Sequence, residues 1–117
     1  MSSLAHDLPP DADPLRCDVS REDGGGARLR LAGALDLATV PVLESELRTL
    51  REAGVRRLIL DLSALSFLDS TGLRLIIERD DDARRDGFSL SLVPGPPAVQ
   101  RVFELTGTAA RLPFVDA

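Results

Sequence analysis

The stretch of sequence that decides the fold is LSALSFLDSTGL, residues 62–73. Two hydroxyls and a carboxylate, in Asp69-Ser70-Thr71-Gly72, stand where a strand-side loop enters a helix. The apolar run RLILDL at 57–62 precedes them and predicts a central strand that is buried on both faces. After them, apolar residues recur at helical spacing until Asp86-Gly87 ends the helix: Leu73, Ile76 and Ile77.

The segments on either side of this junction alternate between strands and helices. Upstream, alternating residues at 15–19 and 27–31 flank the turn signal at 23–26, DGGG, and predict a hairpin with one buried face. The second strand ends in GALD at 33–36. Thr39 can cap the helix that begins near Val40 or Pro41, and Gly54 stops it.

Downstream, the sequence predicts a strand at 88–93, a helix that begins at Pro97 and closes at Gly107, and a short final strand at 112–115. The element order is therefore β-β-α-β-α-β-α-β. Such alternation predicts an α/β fold, in which helices pack on a sheet with parallel or mixed pairing.

Length, composition and charge exclude several classes of protein. The 117 residues suit one domain, and 44% of them are hydrophobic, which is typical of a globular chain. A net charge of −5 and the lack of Trp and Tyr argue against nucleic acid or an anionic membrane as the main partner. We expect residues 1–14 to be a disordered leader and 15–117 to be the folded domain. No apolar run suggests a membrane span and the N-terminus lacks a signal peptide pattern, so we predict a cytoplasmic protein.

The chain offers few residues for metal, redox or catalytic chemistry. Cys17 is its only cysteine and His6 its only histidine, so we expect no disulfide, metal site or cofactor. Cys17 lies in an alternating segment, where a buried structural thiol is favoured over a reactive one. Ser70 has no histidine to activate it, and no lysine is present to complete a phosphate-binding loop. We therefore expect a protein that is not an enzyme.

Ser70 at the start of a helix allows two interpretations. Free N–H groups and the helix dipole favour an anion there, so a phosphate on Ser70 would suit the position. Alternatively Ser70 only caps the helix, which spacing alone favours, although no Glu or Gln completes a capping box. Gly72 supplies no side chain, so a partner could approach closely there.

Asp36 follows a strand and precedes a helix, as Asp69 does. In a parallel arrangement both loops emerge at one edge of the sheet, where α/β sites usually lie. Two carboxylates near one hydroxyl could bind a metal or orient that hydroxyl. The simpler alternative, that Asp36 merely starts a turn, is favoured by the residues alone. The triple Asp at 80–82 lacks the spacing of a calcium loop and is interpreted as a solvated helix face, with Arg74, Arg84 and Arg85 available for pairing.

Three segments of the chain resemble the STAS family, the sulfate transporter and anti-sigma factor antagonist domains. The segment FLDSTGL at 67–73 looks like the STAS signature, and GALD at 33–36 looks like the family's Gly-x-Leu-Asp motif. The segment PAVQRVFELTG at 97–107 looks like the family's third helix. The resemblance covers about residues 15–117. It implies a STAS-like, four- to five-stranded mixed β-sheet flanked by helices.

The resemblance also implies a function for Ser70. In the bacterial antagonists, the serine that directly follows the Asp is phosphorylated by an anti-sigma factor with serine kinase activity. The unphosphorylated antagonist binds that anti-sigma factor and frees its sigma factor, and a phosphatase acting on the phosphoserine restores the antagonist. Asp36 and Asp69 match acidic neighbours of the phosphosite, and Thr71 is a second candidate acceptor. With these neighbours, Gly72 and Leu73 complete the segment expected to bind the partner.

Two other functions remain open at this level. The chain could be a STAS module without phosphoswitching, as a scaffold in a stress-signalling assembly or a subunit of a lipid-transport complex. It could instead bind or weakly hydrolyse a nucleotide, although the lack of lysine and of a phosphate loop weighs against that function.

Overall fold

The computed structural model describes residues 14–115, which form four strands and three helices. In chain order these are β1 Arg16–Arg21, β2 Ala27–Leu35, α1 Val40–Glu52, β3 Arg57–Leu68, α2 Ser70–Asp86, β4 Ser89–Val93 and α3 Pro97–Leu105. The strands form one sheet in the order β1-β2-β3-β4. The β1–β2 pair is antiparallel and the other two pairs are parallel, so the predicted hairpin and mixed sheet are confirmed. The leader predicted for residues 1–14 lies outside the described residues except for Pro14.

The prediction of a final strand at 112–115 is wrong, because this segment forms a single bridge. One parallel bridge joins Phe114 to Leu92 of β4. The amide of Leu92 donates to the Pro113 carbonyl at 2.9 Å, and the amide of Val115 donates to the Leu92 carbonyl at 2.8 Å. Because Pro113 has no N–H to donate, the ladder is not extended through it. The described chain therefore follows the order β-β-α-β-α-β-α.

Strand β3 is twice as long as predicted and reaches Leu68. Its pairing with β2 shifts register twice, from Arg30↔Asp61 to Ala32↔Ala64 and from Gly33↔Leu65 to Ala34↔Phe67. At each shift β3 carries one residue more than β2, which is the pattern of a β-bulge. The bulges break the alternation of apolar and polar residues, so the sequence pattern ends at Leu62 although the strand continues. Phe67 follows the second bulge and is exposed, whereas Leu65 and Leu68 on either side of the pair Ser66-Phe67 are buried.

The core is aliphatic and lies between the helices and one face of the sheet. Leu29 and Leu31 of β2 share this face with Leu60 of β3, as the registers require, and all three are buried. The helices bury their apolar stripes on it, with Leu43 and Leu50 from α1. The predicted stripes of α2 and α3 are likewise in the core, chiefly through Leu73, Ile76, Val99 and Phe103. No helix among residues 14–115 is long and apolar enough to cross a membrane.

Asp61 is a buried carboxylate within the first bulge of β3. It accepts hydrogen bonds from the Ser63 amide at 2.9 Å and from the Arg28 guanidinium at 2.9 Å. Burial alone would raise the pKa of Asp61, but the hydrogen bonds from Ser63 and the charge of Arg28 outweigh it and lower the pKa. The group therefore stays ionised at neutral pH and pins the bulge to β2.

The triple Asp of α2 is not a uniformly solvated face. Asp80 is buried and pairs with Arg84 at 2.7 Å, and Arg84 also donates to the Arg111 carbonyl at 2.9 Å. Arg84 thus links Asp80 of the helix to the C-terminal segment. Asp82 pairs with Arg85 as predicted, whereas Arg74 makes no ion pair with any residue of 14–115.

Cys17 on β1 is half-buried and packs against the core. Burial raises the pKa of its thiol to about 11, with a further contribution from the negative charges of Glu46 and Asp18. Because the thiolate is the reactive form, this environment agrees with the structural role predicted for the thiol.

Candidate functional site: two strand-to-helix junctions

Two junctions meet at the edge of the sheet where β2 and β3 end. The strands are parallel, and their last residues, Leu35 and Leu68, are paired. We define the first junction as residues 36–39, between β2 and α1, and the second junction as residues 69–73, Asp69 and the first turn of α2. The prediction that both loops emerge at one sheet edge is confirmed by this pairing.

Asp69 links the two junctions. It is the N-cap of α2 with extended backbone, φ −105° and ψ −178°, and its Oδ1 accepts from the Gly72 amide at 2.9 Å. Its Oδ2 accepts from the Leu37 amide in the first junction at 3.1 Å, and its own amide donates to the Leu35 carbonyl at 3.2 Å. One side chain thus starts the helix and holds the neighbouring loop.

Asp36, by contrast, is used within its own loop. Its Oδ1 accepts from the amides of Ala38 and Thr39, both at 3.0 Å. This is an Asx-type turn, which is the structural role that the simpler interpretation gives to Asp36. The Thr39 hydroxyl donates to the Ala34 carbonyl at 2.7 Å and accepts from the Asp36 amide at 2.9 Å. Thr39 occupies the N-cap position of α1, but its side chain does not cap the helix, because the strand end and the turn engage the hydroxyl first.

Ser70 is the first residue of α2 and is exposed. Its hydroxyl makes no hydrogen bond with any of the described residues 14–115. The interpretation of Ser70 as the helix cap is wrong, because Asp69 precedes it with extended backbone and takes that role. The Ser70 and Thr71 amides have no acceptor within the helix by position, and the dipole favours negative charge beside them. Thr71 is only partly exposed.

Gly72 and Leu73 support the site from behind. Both are buried. A Cβ on Gly72 would lie 2.8 Å from the Leu35 carbonyl oxygen and 2.8 Å from Cδ1 of Leu68. The missing side chain therefore lets α2 start against the ends of β2 and β3, and does not open a path for a partner as the sequence suggested. Leu73 packs into the core, so neither residue offers surface to a partner.

Two large apolar side chains near the site were missed by sequence reasoning. Leu37 in the first junction is 73% exposed, and Phe67, three residues before Ser70, is 52% exposed. Leu37 is held at its backbone by Asp69. Exposed apolar groups next to a polar site are typical of protein-binding surfaces. For Leu37, the available signal was its place in the loop between Asp36 and Thr39. Phe67 lies beyond a bulge that the sequence did not reveal.

The geometry provides an accessible hydroxyl beside two carboxylates, with exposed apolar surface nearby. No group of three or more His, Cys, Asp or Glu side chains within residues 14–115 is arranged to hold a metal ion. The side chains that the sequence predicted at the site are thus brought together by the paired strand ends, but only Asp36, Asp69, Ser70 and Thr71 retain exposed surface.

Comparisons with known proteins agree with this architecture. Residues 19–116 match the family model of the STAS domain. The anti-sigma-B factor antagonist of Staphylococcus aureus is 33% identical over 79 residues, which cover 68% of this chain and 73% of that protein. An anti-sigma factor antagonist from Mycobacterium paratuberculosis superposes with a TM-score of 0.73 and 27% identity, over 91% of this chain and 87% of that one.

The anti-sigma factor antagonist SpoIIAA shares the fold in its unphosphorylated and in its phosphorylated form. Its unphosphorylated form gives a TM-score of 0.71 at 24% identity, covering 87% of this chain and 88% of that one. Its phosphorylated form gives a TM-score of 0.67 at 24% identity, covering 87% and 91%.

Proposed function

The chain belongs to the STAS domain family, and we propose that it is an anti-sigma factor antagonist switched by phosphorylation of Ser70. In the unphosphorylated state it binds an anti-sigma factor with serine kinase activity, and the sigma factor held by that protein is released. Phosphate on Ser70 ends the binding, and a phosphatase acting on phosphoserine restores it. In this scheme the protein is a cytoplasmic binding partner and not an enzyme.

The observation that carries the proposal is the free hydroxyl of Ser70. Asp69 caps the helix, so the Ser70 side chain has no structural task that modification would interrupt. A kinase needs an accessible hydroxyl, and Ser70 is exposed whereas Thr71 is partly buried. Ser70 is therefore the favoured acceptor of the two.

The physical effect of a phosphate at this position opposes binding. It adds about −1.5 to −2 charges at neutral pH. The new charge stands next to Asp69 and near the first junction, which already carries Asp36. A partner that docks on the exposed Leu37 and Phe67 would have to desolvate that charge or meet it with its own acidic groups, and either is costly.

The relatives support the direction of the proposal. The Staphylococcus aureus relative is named an anti-sigma-B factor antagonist. SpoIIAA, which shares the fold, has been solved both with and without phosphate. These properties belong to those proteins, and the proposal extends them to this chain through the position of Ser70.

The test combines phosphosite mapping with binding. The full chain is immobilised as wild type, Ser70→Ala, Ser70→Asp and Thr71→Val, and partners are captured from extracts of the source cells with and without ATP. The captured serine kinase is then purified for pairwise affinity measurements. We expect ATP to add phosphate to Ser70 of the wild type and to abolish binding, whereas Ser70→Ala binds under both conditions. Ser70→Asp should bind at least about tenfold more weakly, because like charges placed together cost more than 1.4 kcal/mol.

Thr71→Val is the matched control, because it removes the adjacent hydroxyl while keeping the side-chain shape. It should behave as the wild type does in both conditions. Equal affinity of Ser70→Asp and wild type for the kinase would refute the charge-based switch. Phosphate that never appears on Ser70 would favour the non-switching scaffold or transport subunit.

A further inference from the structure

A cavity of about 310 Å³ lies between α1, α2 and the beginnings of β3 and β4. It is at the far end of the sheet from Ser70. Its wall includes the beginnings of β3 and β4, whereas Ser70 follows the end of β3. Leu75 of α2 is in the wall and is only five residues after Ser70, but none of the residues 36–39 and 69–73 lines the cavity. The cavity is therefore a separate feature, and an inference from it does not depend on the proposed function.

The wall of the cavity is apolar. It is formed by side chains of both helices and both strands: Leu43, Leu47, Leu50, Val55, Leu58, Leu60, Leu75, Ile76, Phe88 and Leu90. Protein interiors normally pack closely, with few voids larger than a water molecule. This cavity is about twice the size of the engineered 150 Å³ apolar cavity that holds a benzene molecule. Its size is at the lower end of the range found for small-molecule sites.

The rim of the cavity carries more available positive than negative charge. Four arginines line it, and two of them are paired: Arg51 with Asp86 at 2.8 Å, and Arg79 with Asp82 at 3.1 Å. Arg48 and Arg56 make no ion pair with any residue between 14 and 115, and Arg56 donates only to the Asp86 carbonyl at 3.3 Å. Glu44 is the one carboxylate of the rim that is outside these pairs.

We propose that this cavity binds a small amphipathic carboxylate, an acyl chain of medium length whose carboxylate lies at Arg48 and Arg56. The apolar wall removes the chain from water, which supplies most of the favourable free energy of binding. The two guanidinium groups can offer charge-assisted hydrogen bonds to the carboxylate. A chain of about ten carbons suits the volume, since roughly half the space would hold a six-carbon ring.

Decanoate is the probe, and decanol is its neutral counterpart of equal chain length. The full chain is titrated with each, below the concentration at which decanoate forms micelles, and binding is followed by NMR shifts of the leucine methyl groups. We expect saturable binding of decanoate, with shifts at Leu47 and Leu75 in the cavity wall. The Arg48→Gln, Arg56→Gln double variant should bind decanoate about tenfold more weakly, because the charge-assisted hydrogen bonds to the carboxylate are lost. Its affinity for decanol should be unchanged.

Two further variants make the result specific. Glu44→Gln removes a negative charge from the same rim, so it should bind decanoate at least as tightly as wild type. Leu47→Trp should fill part of the cavity and weaken both ligands without lowering the melting temperature. Absence of saturable decanoate binding would overturn the proposal. Equal weakening of decanoate and decanol by the arginine changes would overturn the carboxylate assignment.

Discussion

The two junctions begin with the same residue type in the same place, yet they are built differently. Each has an Asp directly after a parallel strand and directly before a helix or the turn into one. Asp36 satisfies amides of its own loop, those of Ala38 and Thr39. Asp69 satisfies the Gly72 amide in its own helix and the Leu37 amide in the other junction. The aspartate of the first junction therefore acts within its own loop, whereas the aspartate of the second junction contacts both junctions.

The difference shows where a modification can influence both junctions at once. A charge added at Ser70 is one residue from the carboxylate that fixes Leu37. The same charge in the first junction would stand beside Asp36, whose carboxylate, within residues 14–115, accepts hydrogen bonds only from its own loop. The position of Ser70 in the second junction thus couples its hydroxyl to the exposed apolar side chains. Substitutions in the two junctions test this coupling one contact at a time.

The largest effect is expected for Gly72→Ala. The new Cβ would lie 2.8 Å from the Leu35 carbonyl oxygen, a backbone atom that cannot move aside cheaply. Overpacking of this kind costs about 1–3 kcal/mol, and we expect a loss of about 2 kcal/mol in the free energy of unfolding. Urea denaturation measures it. Gly54→Ala is the control, because a Cβ there meets nothing within 4 Å and only the positive φ of 86° opposes it. It should cost about 1 kcal/mol, and a larger loss than for Gly72→Ala would contradict the close approach of α2 to β2.

The next effect separates the two aspartates. Asp69→Ala should lower the free energy of unfolding by about 1.5 kcal/mol, because it removes the helix cap and the acceptor of the Leu37 amide. Asp36→Ala should cost about 1 kcal/mol, because only a local turn is lost. Hydrogen exchange of single amides distinguishes them: Asp69→Ala should expose the Leu37 and Gly72 amides, and Asp36→Ala those of Ala38 and Thr39.

Asp69→Asn is the matched control for this pair, because it keeps the shape of the side chain but only one acceptor oxygen. It should retain protection at Gly72 or at Leu37, but not at both. If Asp36→Ala exposed Gly72, or if Asp69→Ala left Leu37 protected, the proposed difference between the junctions would be refuted.

The order of elements up to α3, the mixed sheet and the shared edge of the two Asp residues could be predicted from the sequence, whereas the prediction of a final strand is wrong. The apolar run at 57–62 begins the central strand β3, which is parallel to both of its neighbours, although the helices cover one face and not both as predicted. The alternating segments before it form the hairpin. The Asp residues that follow β2 and β3 lie at one edge because parallel strands end together. These features depend on short-range patterns, which a single sequence contains.

What the sequence did not show depends on contacts between distant segments. The two bulges lengthen β3 to Leu68, and the register of β2 is needed to see them. The tight space at Gly72 depends on the position of Leu35, and Arg84 bonds both Asp80 and the distant Arg111 carbonyl. Asp69 and Ser70 are both residue types that cap helices well. Because β3 extends to Leu68 and α2 begins at Ser70, Asp69 is the residue at the cap position.

The smallest effect is expected for Ser70→Ala, which tests whether Asp69 and not Ser70 caps α2. Because Asp69 supplies the cap and the Ser70 hydroxyl is exposed, the free energy of unfolding should change by less than about 0.5 kcal/mol. The amide of Gly72 should keep the protection from exchange that it has in the wild type. A loss comparable with that of Asp69→Ala would mean that Ser70 caps the helix, and a phosphate there would then also disturb the start of α2. No change in stability for Ser70→Ala would instead show that the wild-type hydroxyl has no structural role, so that modification of Ser70 can change binding without changing stability.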